Sequence, residues 1–158
     1  MDKSIAPKTQ LTVMPENRTN ARSAYYNSQK EIRITPRTPF SVHLHEMGHW
    51  IESSNPEVEK LCREFLYYRT KGEKPKLLKD ITGIKQYGND EYALKDKFPN
   101  PYCGKIYPTG SEILSMGIEM LAEDPYDFYN NDPEYFGLIV SILRGDFSKT
   151  KENSKSIR

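Results

Sequence analysis

The sequence predicts an α+β domain in which helices dominate. Three observations carry that prediction. Four X-Pro pairs each set a capping side chain in front of a proline. A short strand-forming run near the N-terminus folds back on itself. One segment combines an apolar stripe at helical spacing with every histidine of the chain.

The strand signal is "ARSAYYNSQKEIRITP". Tyr25, Tyr26, Ile32 and Ile34 flank an Asn-Ser-Gln-Lys turn, which predicts a small antiparallel hairpin. The pairs Thr38-Pro39, Asn55-Pro56, Asp124-Pro125 and Asp132-Pro133 then predict helices at about 39–53, 56–71, 125–130 and 133–144. Gly145 is placed to end the last of these. A fifth helix is expected from about 110 to 123, capped by Thr109. Residues 72–108 read as irregular, with a short strand at "EYALKD"; so long a connection is usually functional. Residues 1–20 read as a flexible arm, 21–147 as the folded domain and 148–158 as a flexible charged tail.

A chain of 158 residues suits one domain, and 11% aromatic residues can build its core. The formal net charge of +1 gives no field that would favour nucleic acid or a membrane surface. The lysine-rich stretch at 69–97 reads as solvated surface. No apolar run approaches the roughly 20 residues of a membrane span, and no secretion signal is visible, so a cytoplasmic or phage-associated location is expected. Cys62 and Cys103 fit no metal or redox spacing and read as reduced thiols. The loose ends suit a piece of a larger polypeptide or assembly as well as a small free protein.

The histidines lie in "VHLHEMGHWIE", at positions 43, 45 and 49. On a helix, Phe40, Leu44, Met47 and Ile51 form the core stripe. His45 and His49 form a separate face one turn apart, where two imidazoles reach one point. Gly48 lies between the faces and admits a close neighbour. His43 points elsewhere and reads as a packing or surface residue, and Trp50 reads as packing. The pattern is H-E-x-x-H: two neutral imidazoles that chelate one Zn²⁺, with Glu46 beside them to reach a water at the metal. A catalytic zinc keeps three protein ligands and an open position. With no further histidine, the third is expected to be a carboxylate from another helix. Glu112, Glu119, Glu123 and Asp124 are on offer in "TGSEILSMGIEMLAED". Glu112, in the first turn, fits best and Glu119 is second. Two plainer accounts compete: a solvated acidic face of Glu112, Ser115, Glu119 and Glu123, and a capping box formed by Thr109 and Glu112.

"HEMGH", followed about sixty residues later by Y-x-x-x-x-E-x-x-S, resembles the zincin metallopeptidases whose third ligand is a glutamate. The arrangement is similar to the anthrax lethal factor catalytic domain and to zincin-like domains of phages and prophages. The resemblance covers about residues 21–145 and is specific only at His45-Glu46-x-x-His49. It implies a zincin-like fold, one zinc per chain on His45, His49 and Glu112, and Glu46 as catalytic base. The substrate it implies is a protein or peptide. It further implies a tyrosine that assists the oxyanion, Tyr107 or else Tyr102, and an edge strand above the site at residues 30–35. Met116 stands where such sites carry an acidic residue four positions after the ligand, and the tyrosine spacing also differs. The competing expectation is a catalytically silent zincin-like module of a larger phage or toxin assembly.

Overall fold

A computed structural model describes residues 9–14 and 22–146. The expected tail at 148–158 lies outside the described residues. The domain is α+β and helix-dominated. Its elements run β1 (Gln10–Val13), β2 (Ala24–Tyr26), β3 (Glu31–Ile34), α1 (Phe40–Ser54), α2 (Pro56–Arg69), β4 (Lys76–Leu77), α3 (Leu78–Thr82), β5 (Tyr92–Ala93), α4 (Ile113–Glu123), α5 (Pro125–Asn131) and α6 (Pro133–Arg144), with a 3₁₀ turn at Pro101–Gly104.

Three of the four X-Pro starts behave as their chemistry dictates. The Asn55, Asp124 and Asp132 side chains accept from backbone N–H groups of the next turn, with proline first in each helix. Thr38 does not cap α1. Its hydroxyl pairs with Thr35 Oγ1 at 2.8 Å, and Pro39 is itself the extended residue before the helix. α6 ends at Gly145 as expected.

The sheet is larger than a hairpin. β2 and β3 pair antiparallel, and β1 lies parallel to β3 on its other side, so the order is β1-β3-β2. Four residues of the expected N-terminal arm are therefore structured. Residues 30–35 are also corrected: β3 is the central strand, with both edges bonded, and cannot line an extended substrate. The strand on the α1 side is β2, where Tyr25 N–H donates to Glu46 Oε2 at 2.7 Å.

The core joins α1, α2, α4, α5 and α6 through Ile51, Val58, Cys62, Ile113, Leu114, Phe128, Tyr135, Ile139 and Ile142. Both cysteines are free and buried there. Phe40, the first residue of α1, does not join them: it is 72% exposed. The connection at 72–108 is more ordered than expected. β4 pairs antiparallel with β5. Arg69 then clamps this segment to α6: it grips both oxygens of Asp132 at 3.1 and 3.0 Å and reaches Asp96 at 2.7 Å. Its guanidinium lies over the Phe65 and Phe98 rings.

Candidate metal centre

The site is built by two antiparallel helices, α1 and α4. Ser41 donates to Glu123 at one end of their contact, His45 meets Glu119 in the middle, and Ser111, just before α4, donates to Glu52 at the other end. Gly48 is why the helices come this close. A Cβ there would stand 2.5 Å from Ser115 Cα and 2.9 Å from Ser115 N, inside any allowed contact. The face of α4 that carries Glu112, Ser115 and Glu119 is therefore turned toward α1, and only Glu123, at its far end, is exposed. Ser115 is wholly buried and Glu112 is 1% exposed.

His45 and His49 present their Nε2 atoms to each other at 3.2 Å. Glu112 Oε2 lies 3.4 Å from His45 Nε2 and 3.2 Å from His49 Nε2. One ligand atom from each of the three residues lies within 4.8 Å of the others, the span a single metal ion bridges. Glu112 sits at the N-cap position of α4, and its side chain makes no capping bond, so the capping-box account does not hold. The helix begins at Ile113 rather than 110. The carboxylate is spent on the site: Tyr107 OH donates to Oε1 at 2.5 Å and Ser115 Oγ to Oε2 at 2.7 Å.

The neighbours set the protonation of this group. Burial pushes the Glu112 pKa up, but the hydrogen bond and charge of His49, then the Tyr107 and Ser115 donors, outweigh it and hold the carboxyl at about 2. For His49 burial works downward, and the Glu112 carboxylate more than reverses it. Glu119 is not beside the other ligand atoms. Its Oε2 is 2.8 Å from His45 Nδ1, a carboxylate that accepts the Nδ1–H hydrogen bond and so leaves the Nε2 lone pair facing the cluster. Asp124 is occupied as the cap of α5.

Glu46 lies between the histidines and β2. Burial raises its pKa, while the His45 charge and the Tyr25 N–H pull the other way without cancelling the rise. That is the direction a proton acceptor working near neutral pH needs. His43 is a packing residue as expected, its Nε2 3.0 Å from the Thr35 carbonyl. Trp50 is buried in the core.

The two candidate tyrosines differ in where they stand. Tyr107 is tied to Glu112. Tyr102 OH lies 3.4 Å from Tyr107 OH and accepts from Lys105 Nζ at 3.2 Å, and Lys105 is itself paired with Glu91 at 2.6 Å. Lys105 and Glu91 escaped the sequence reading, since a lysine in an irregular stretch carries no spacing signal.

The cluster stands between two cavities. A cleft of about 1000 Å³ takes in His45, Glu46, Glu119, Tyr102 and the Thr35–Thr38 turn. A smaller cavity of about 510 Å³ takes in His49, Tyr107, Glu52 and Ser111. No helix among the described residues is long and apolar enough to cross a membrane. Comparison of the chain with protein-family models, with curated proteins and with solved structures gives no match in any of the three.

Proposed function

We propose that the protein is a zinc-dependent peptidase of zincin type. The observation that carries this reading is the convergence of His45 Nε2, His49 Nε2 and Glu112 Oε2 on one point, with Glu46 on the adjoining turn of α1. The donor set fits zinc: two imidazoles and one carboxylate are the protein ligands of a catalytic site whose fourth position takes a water. A bound zinc would lower the pKa of that water and polarise the carbonyl beside it.

The chain's own residues supply the rest. Glu119 fixes the His45 tautomer, and Tyr107 and Ser115 hold Glu112 ionised and oriented. Glu46, held through one oxygen by Tyr25 N–H, takes the proton of the attacking water and returns it to the leaving amine. A tyrosine hydroxyl donates to the developing oxyanion. Tyr102 is the better placed, because it lines the cleft with His45 and Glu46 while Tyr107 is committed to Glu112. The cleft is large enough for several residues of an extended peptide.

The test is cleavage of a mixed peptide library by the zinc-loaded protein, with Glu46→Gln beside it. The variant should bind the metal and lose activity by about 10²–10⁴-fold, the usual worth of a general base. Zinc bound by both chains and cleavage by neither would replace the peptidase with the silent binding module.

A further inference from the structure

We propose that the cavity beside His49 is a subsite for a cationic side chain, an alkylammonium or a guanidinium, and that Glu52 selects it. The identity of the occupant as part of a peptide rests on the peptidase reading; the preference for a cation does not.

Glu52 lies one turn beyond His49 on α1 and is 2% exposed. Its Oε1 accepts from Ser111 Oγ at 2.8 Å, and its Oε2 has no hydrogen-bond partner among the described residues. A buried carboxyl oxygen left without a donor is costly, and the arrangement is explained if a ligand brings the donor. The surroundings give that ligand its sign. Tyr25, Asn27, His49, Ser53 and Thr109 line the same cavity, with Glu59 from α2, and among the described residues no lysine or arginine lines it. Glu59 has a distant partner in Arg63, 3.8 Å away on its own helix.

The space in front of the carboxylate is kept open by backbone. Gly110 holds φ +75°, and a Cβ there would have one heavy atom within 4 Å, Glu52 Oε1. The cavity continues the metal cluster on the side away from the large cleft, since His49 and Tyr107 line it and His45 and Glu46 line the other. A substrate crossing the cluster would thus place a neighbouring side chain against Glu52. Burial pushes the Glu52 carboxyl up to about 8, and an entering cation supplies the counter-charge that ionises it.

The experiment titrates the full chain, zinc-loaded, with N-acetyl-arginine amide and with its uncharged isostere N-acetyl-citrulline amide. Backbone amide shifts of Ser53, Gly110 and Ser111 are followed. The arginine probe should saturate these shifts and bind at least about ten-fold tighter than the citrulline probe, as charge-assisted hydrogen bonds to a buried carboxylate do. Glu52→Gln should erase the difference. Glu59→Gln, at the rim, should reduce it by only about two- to three-fold, and covers the case in which Glu52→Gln does not fold. Equal affinity for the two probes, no shift with either, or an unchanged preference in Glu52→Gln would overturn the subsite. Peptide cleavage is not part of the readout. A protein that selects arginine here and cleaves nothing keeps the subsite and loses the peptidase; cleavage indifferent to charge does the reverse.

Discussion

Glu112 and Glu52 are buried to nearly the same degree, 1% and 2% exposed, and face each other's neighbourhoods across the same helix pair. One is held at about 2 and the other rises to about 8. The difference lies in the donors. Glu112 receives Tyr107 and Ser115 and faces two imidazoles, whereas Glu52 receives Ser111 alone and feels Glu112 and Glu59 as like charges. Burial opposes ionisation at both sites; what the surrounding chain offers the carboxylate decides which stays charged. A carboxylate with its donors in place is ready to be a ligand. One without them costs stability until a cation arrives.

The largest expected effect breaks the comparison on the Glu52 side. Below pH 4.5 this carboxyl is protonated in both folded and unfolded chains and costs nothing. Between 4.5 and about 8 the unfolded chain releases the proton and the folded chain keeps it, so folding stability falls by about 1.4 kcal/mol per pH unit. Above about 8 the loss is complete. Glu52→Gln removes this contribution, while Ser111, Glu112 and Glu59 stay around it. In urea melts at matched metal loading, its stability relative to the parent chain should therefore climb between pH 4.5 and 8, by up to about 5 kcal/mol. A flat difference would mean that Glu52 is ionised in the folded protein.

Gly48→Ala tests the contact on which both carboxylates depend. The added Cβ meets Ser115 backbone, which cannot rotate away, so α1 and α4 must part. A loss of about 1–3 kcal/mol is expected in the same melts, together with weaker metal binding. If stability and metal affinity both hold, the helix contact is looser than described. Glu119→Gln sharpens the donor-rich side. It removes the charge behind His45 Nδ1 and should weaken metal affinity by about 10–100-fold in competition with a chelator, leaving the fold intact.

What the sequence disclosed follows the range of the interaction. His45, Glu46 and His49 could be read because one helical turn fixes their geometry, and so could the Asn55, Asp124 and Asp132 caps, which act on the next turn. Gly48 was legible as a point of close approach, though not against which residue. Glu112 could only be chosen among several acids, since its meeting with the histidines is a tertiary event. The polar face of α4 looked like a solvated one because polarity patterns do not distinguish water from a second polar helix. β1 was missed because four residues paired in parallel with a distant strand carry no local turn signal, and the central place of β3 was missed with it. Glu52 and Ser111, far apart in sequence, show no pattern at all until the helices pack.

The measurement closest to the central claim is metal content by mass spectrometry on protein purified without added metal, with His45→Ala and Glu112→Ala in parallel. The account predicts about one zinc per parent chain and its loss from both variants. No metal in the parent chain after zinc is offered, or zinc retained in both variants, would contradict it.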